Sequence, residues 1–365
     1  MKEMRRKLIY DLLEFALSDD KANFDVFKDI SAEEWKWTLG MLSMHGVAPL
    51  VGDALENVPA ELRPQGQILM QFIASNMSAC RSYEKLKGLV EKLSDVMVQN
   101  DIKCLLLKGF SLAEYYPRPE LRKFLDIDLY APKDSHKIDE VFGSRDVMVD
   151  TDFYRHSHMT LAGVLVENHH CLLDVRGRKR MAELDADLKA MALEHLAGFD
   201  GPGLYYPDER FALIFNLHHA MSHFIYEGIS FKFLVDWIFF LRKEKKLLSS
   251  EEIAIALRRH RLLNFAAVMS EVCVRELGLG VDDVPECIRS EMTGLKPAVV
   301  ERFVDDLFRP YEPSHKKNLF AERFNNVRRI VKASWKPKEF LGQSAFGFVW
   351  DKFFPILIGR KFEAD

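Results

Sequence analysis

The segment FLDIDLYAP places Asp126 and Asp128 one residue apart inside an otherwise apolar run. Residues i and i+2 of a strand share a face, so the two carboxylates project together while Leu125, Ile127 and Leu129 turn the other way into packing. Carboxylates that close repel each other unless something positive lies beside them. A divalent cation is an efficient partner, and Mg²⁺ takes one or two carboxylates together with substrate phosphates. A D-x-D pair alone is common on solvated strands, so its neighbours decide. Lys108-Gly109 directly follows the short apolar run CLLL. Glycine lets a backbone approach a phosphate closely, and a helix starting there aims its N-terminus at the same place. Ser111 adds a hydroxyl, and Arg122 stands four residues before Asp126. A third carboxylate is expected from a later β-rich stretch, with Glu167 in LVENHH as first choice and Asp174 in CLLDV as second. Alternation puts His169 on the Glu167 side, where it could orient a carboxylate or a phosphate, and His170 on the opposite side.

These residues need a small strand-bearing unit to hold them, and the chain supplies one between helical regions. Leu8–Leu17 carries apolar positions at helical spacing, and Ser31-Ala-Glu-Glu34 reads as a capping box opening a second helix. A long helix is expected over about 65–99. CLLLKGF and FLDIDLYA then read as strands, with a short helix over 111–116 between them and another over 134–142. MTLAGVLVENHHCLLDV reads as a hairpin turning at Gly163. From Ala182 onward the pattern is helical, with helices expected over 211–224, around Phe233–Leu241, and near 251–277, 285–309, 318–333 and 345–358. The expected fold class is α+β: a small mixed sheet with helices, flanked by helical regions at both ends. The corresponding domains are 1–64 (helical), 65–181 (α/β core) and 182–365 (helical).

Three other features carry chemistry in principle. His218, His219 and His223 share one helix, and His219 and His223 are spaced to ligate one metal. No glutamate follows the first histidine in the H-E-x-x-H manner, so a packed histidine cluster and a cleft-lining one both stay open. Lys232 and Asp236 read as an i,i+4 surface pair, with a cleft-facing Asp236 as the sharper alternative. RGRKR (Arg176–Arg180) and the basic helix ERFNNVRRIVKASWKPK read as solvated faces, the former able to attract an anionic acceptor such as RNA.

Composition bounds the rest. The 365 residues are 48% hydrophobic and 29% charged, with a net charge of −4, so no global field argues for nucleic acid or an anionic membrane. No uninterrupted apolar stretch suits a signal peptide or a bilayer span. The five scattered cysteines suit reduced thiols, and a cytoplasmic protein is expected.

Leu107-Lys108-Gly109, then Arg122, then Asp126-Ile127-Asp128-Leu129, resembles the "LKG…R…DIDL" signature of the uncharacterised bacterial nucleotidyltransferases, within the DNA polymerase β-like superfamily. Val166-Glu167-Asn168-His169 is similar to the family's later V-E-x-H motif, and Phe233-Leu234-Val235-Asp236 to its F-L-x-D helix. One position departs from the wider superfamily: its Gly-Ser turn stands here as Gly109-Phe110. The resemblance implies transfer of a nucleoside monophosphate from an NTP, ATP first, to a hydroxyl on a small molecule, RNA or protein. Asp126, Asp128 and Glu167 would hold Mg²⁺ or Mn²⁺, and Lys108, Gly109, Ser111, Arg122 and His169 would meet the nucleotide. Two alternatives stand beside it: a nucleotide-binding protein without turnover, and a metal hydrolase centred on His219 and His223.

Overall fold

The computed structural model describes residues 2–175, 179–309 and 333–344, together with residue 347. Helices α1 (Lys2–Leu17), α2 (Ala32–Met44) and α3 (Ala48–Ala54) form the N-terminal region. The Ser31 capping box is present in both directions: Ser31 Oγ accepts from the Glu34 amide, and the Glu34 carboxylate accepts from the Ser31 amide. Helix α4 (Gln67–Gln99) then leads into the strand-bearing unit: β1 (Lys103–Leu107), α5 (Gly109–Ala113), β2 (Asp126–Tyr130), α6 (Ser135–Gly143), β3 (Val149–Asp150), β4 (His156–Leu161) and β5 (Val164–His169). Helix α7 (Lys179–Ala197), strand β6 (Gly203–Tyr205), α8 (Glu209–Tyr226) and α9 (Phe231–Lys243) follow. The remaining described helices are α10 (Lys245–Leu248), α11 (Glu251–Arg259), α12 (Leu263–Glu276), α13 (Glu286–Met292), α14 (Pro297–Leu307) and α15 (Trp335–Leu341).

The six strands form one mixed sheet in the order β3-β4-β5-β2-β1-β6. β1 runs antiparallel to β2, β2 parallel to β5, and β5 antiparallel to β4. The β4–β5 hairpin turns through Ala162 and Gly163, both at positive φ (50° and 71°). Those signs at two successive residues match the right-handed twist of the flanking strands.

The sheet's two faces differ sharply. On the back, Cys104, Leu106, Ile127, Leu129, Met159, Val164 and Val166 pack against Leu86, Leu89, Leu93 and Met97 of α4 and Ile138 and Phe142 of α6. On the front, Leu105, Leu107 and Tyr130 join a larger core with α7, α8 and α9. Asp139 on α6 ties the back together, accepting from Ser157 Oγ and Asn168 Nδ2 and facing His170 Nε2 at 3.2 Å.

Several expectations change. The sheet draws a sixth strand, β6, from a stretch expected to be helical. It is three residues long, too short for alternation to show, and is fixed by parallel pairing with Lys103–Leu105. Strand β2 begins at Asp126, and Leu125 is exposed rather than packed. The short helix sits over 109–113, starting immediately after Lys108. The second hairpin strand stops at His169, so Asp174 lies in the loop beyond it. The 251–277 helix is two, separated where Arg261 takes φ 57°. The 285–309 helix is also two, separated ahead of Pro297. Residues 176–178 of the basic run and nearly all of the helices expected near 318–333 and 345–358 lie outside the described residues. No helix among the described residues is long and apolar enough to cross a membrane.

Candidate active site

The register of the sheet builds the site. Leu107, Asp128, Glu167 and His158 form one cross-strand rank, each paired with the next. Leu105, Tyr130, His169 and His156 form the neighbouring rank. Directly paired residues share a face and lie one strand spacing apart. The front face therefore gathers two carboxylates and three imidazoles, and Asp126, two residues before Asp128, adds a third carboxylate on the same side.

Lys108 stands over this group. Its Nζ donates to Asp128 Oδ1 at 2.7 Å and lies 3.8 Å from Glu167 Oε2. Lys108 takes φ 45°, a left-handed value that is costly for a side-chain-bearing residue and that swings β1 directly into α5. His169 Nε2 also meets Asp128 Oδ1, at 3.0 Å, and lies 3.7 Å from Glu167 Oε2. Ligand atoms of Asp128, Glu167 and His169 all lie within 4.8 Å of one another.

The charges are unbalanced. Burial raises the cost of ionising Asp128, yet Lys108 and His169 hold it well below the usual carboxylate range. Glu167 is pushed up to about 7 by burial and by the charge on Asp128, with Lys108 opposing. Asp126 is raised by burial and by Asp128. Lys108 pairs most closely with Asp128, and it opposes the upward push on Glu167 and, together with Lys232, on Asp126. Burial and Lys108 depress His169 to about 4, so its imidazole is neutral near pH 7.

Helices α8 and α9 form the opposite wall. Burial, His223, Lys108 and Lys232 hold His219 well below the ordinary imidazole value, which places His219 within electrostatic range of Lys108. Lys232 is lowered by burial and by Arg122, with Asp236 and Asp126 opposing. His223 pairs with Glu227 at 2.9 Å. Among the described residues, no group of three close His, Cys, Asp or Glu ligand atoms includes His219 or His223. A metal centre on that helix therefore lacks a third ligand there.

Asp236 is not a surface partner of Lys232, as its spacing suggested. It is buried and takes Arg122 in a two-pronged pair, Nε to Oδ1 at 2.8 Å and Nη2 to Oδ2 at 2.9 Å. Tyr116 donates a further hydrogen bond at 2.7 Å. Arg122 Nη1 donates to the Gly109 carbonyl at 3.1 Å, and the Arg122 side chain is only 4% exposed. Arg122 thus locks α5 to α9 beneath the site, with its charge already matched. Ser111 Oγ donates to the Lys108 carbonyl at 3.1 Å. A Cβ on Gly109 would meet the Phe124 ring at 2.6 Å, so glycine is required there for ring packing. Asp174 belongs to none of the close ligand groups among the described residues.

The model of a family described as uncharacterised nucleotidyltransferases matches residues 31–278. That span holds every residue of the site and more than half of the chain. The chain belongs to this family. No curated protein and no solved structure matches it. The α+β architecture, one mixed sheet with helical regions at both ends, fits a nucleotidyltransferase fold. Nucleotidyl transfer is the reaction class of the family.

Reading the nucleotidyltransferase from sequence missed His156, His158 and Lys232. The two histidines carried a signal: H-S-H alternates in step with E-N-H on the partner strand. Lys232 carried none, because burial of the first turn of α9 depends on tertiary packing.

Proposed function

We propose that this protein transfers a nucleoside monophosphate from an NTP, ATP by preference, to a hydroxyl on a small molecule, RNA or protein, with pyrophosphate leaving. The observation that carries the reading is the cross-strand pairing of Asp128 with Glu167, with Asp126 on the same face and Lys108 within 4 Å of both paired carboxylates. This donor set suits a hard divalent cation, Mg²⁺ or Mn²⁺, held by Asp126 and Asp128 with Glu167 beside them. Such a cation supplies neutralisation of phosphate charge as the α-phosphorus is attacked.

The chain's own residues do the rest. Lys108 and His169 keep Asp128 ionised in a buried place. Glu167, poised near 7, receives the proton of the acceptor hydroxyl as the new O–P bond forms and the Pα–O–Pβ bridge breaks. Lys108 and Lys232 face departing negative charge from the β1 and α9 sides. Packing of α8 and α9 over the front face limits water.

The test uses ATP labelled at either the α- or the γ-phosphate, Mg²⁺, and pools of small molecules, RNA and protein as acceptors. The reading expects α-label to move to one pool with release of pyrophosphate, and Asp126→Asn or Asp128→Asn to abolish it. Transfer of γ-label in its place would overturn it. Ser111 is committed to its own turn and Phe110 stands at the usual serine position. These favour one second reading, nucleotide binding without turnover, which predicts Mg²⁺-ATP binding with no pyrophosphate from any pool.

A further inference from the structure

Glu167 has two oxygens, and they face different partners. Oε2 looks toward Asp128, Lys108 and His169, lying 3.8 Å from Lys108 Nζ and 3.7 Å from His169 Nε2. Oε1 looks the other way, 3.5 Å from His158 Nε2. These separations exceed good hydrogen bonds. They are close to the spacing of two ligands sharing an ion: bonds of about 2.0–2.1 Å at a tetrahedral angle put ligand atoms about 3.4 Å apart. His156, His158 and Glu167 each bring a ligand atom within 4.8 Å of the others. The rings are held in place. His156 and His158 stack at 4.6 Å, and Phe153 packs on both at 5.6 and 4.4 Å. His156 Nδ1 is buried with no hydrogen-bond partner among the described residues. A buried polar atom left unpaired calls for an explanation, and an absent ion is one of the ordinary ones.

We propose that the front face carries a second cation subsite, made by His156, His158 and Glu167 Oε1, that takes a first-row transition cation of the Mn²⁺–Zn²⁺ class and discriminates against Mg²⁺. It rests on the reading above in taking Glu167 as a cation-facing carboxylate. Imidazole ligands suit transition cations, whereas Mg²⁺ favours oxygen. The two subsites therefore differ in chemistry across one shared carboxylate: oxygen-rich at Asp126 and Asp128, nitrogen-rich at His156 and His158. The register makes this arrangement: Glu167 stands between Asp128 and His158 in one rank, so a single side chain serves both neighbours.

Co²⁺ is the probe, because its visible absorption reports ligand number and type. Metal-free protein is titrated with Co²⁺ by calorimetry and absorbance, then challenged with millimolar Mg²⁺. The proposal expects two Co²⁺ per chain, one displaced by Mg²⁺ and one retained with a nitrogen-ligand spectrum. The variant His156→Gln/His158→Gln, checked for an unchanged melting profile, should bind one Co²⁺ that Mg²⁺ displaces fully. A wild-type protein from which Mg²⁺ removes all Co²⁺ would overturn the subsite, and this measurement needs no variant. An unchanged count and spectrum in the double variant would also overturn it. If wild type keeps the Mg²⁺-dependent ATP response but no Mg²⁺-resistant Co²⁺, this inference alone fails. Loss of both would remove the functional reading as well.

Discussion

Asp128 and Asp236 are both buried carboxylates facing a cation, and they do opposite jobs. Asp236 meets Arg122 through both oxygens and accepts from Tyr116 as well. Charge and hydrogen bonds close completely there, and the outcome is a rigid joint between α5 and α9. Asp128 meets Lys108 and His169 on one oxygen, with Glu167 and Asp126 as neighbours whose carboxyls stay raised despite Lys108 and Lys232. A buried group whose partners balance it is architecture. A buried cluster left short of positive charge is set up to receive some, and in the proposed reading a divalent cation brings it.

The largest stability effect belongs to the balanced region. Asp236→Ala should cost about 3–5 kcal/mol, because it strands a buried guanidinium. Chemical denaturation with and without the change in Arg122 measures this. The double variant Arg122→Met/Asp236→Leu should recover part of the loss, and full additivity would show that the two side chains do not act as a pair.

Acid should loosen the same region. His45 Nδ1 accepts from the Phe231 amide at the start of α9, and burial lowers His45 to about 4. The unfolded chain binds a proton near the usual 6.5, so stability is full above that value and falls as pH drops from 6.5 toward 4. The loss is at most about 3 kcal/mol. Unfolding free energy against pH, for wild type and His45→Gln, checks it: the slope in that window should flatten in the variant.

Gly109 links the two regions, since its carbonyl takes Arg122 and its neighbour is Lys108. Gly109→Ala forces a methyl into the Phe124 ring and should cost about 1–3 kcal/mol. A melting profile within 1 °C of wild type would show that the ring yields freely.

How much of this was legible in the sequence follows from which physics is local. Alternation along β2 put Asp126 and Asp128 on one face, and the hairpin turn at Gly163 was visible because both strands flank it. Glu167, the first choice over Asp174, does lie on a strand, though only pairing with Asp128 gives it a neighbour. Asp236 was misread because an i,i+4 spacing to Lys232 looks the same on a solvated helix as on a buried one. Strand β6 was missed because three residues carry no period. His156 and His158 escaped because the hairpin was begun at Met159, three residues too late to include the rank opposite His169.

The largest change in function is expected at Asp128. Asp128→Asn leaves the buried Lys108 ammonium with Glu167, 3.8 Å away, as its remaining close carboxylate, so it should also cost about 1–3 kcal/mol of unfolding free energy. The most direct measurement is the melting temperature of wild type, Asp128→Asn and Asp236→Asn, each with ATP in the presence and absence of Mg²⁺. A ligand that binds only the folded state raises that temperature by mass action. Wild type and the weakened Asp236→Asn should both show a Mg²⁺-dependent rise, and Asp128→Asn should show none. A full rise in Asp128→Asn would contradict the claim that the unbalanced carboxylates are the nucleotide site.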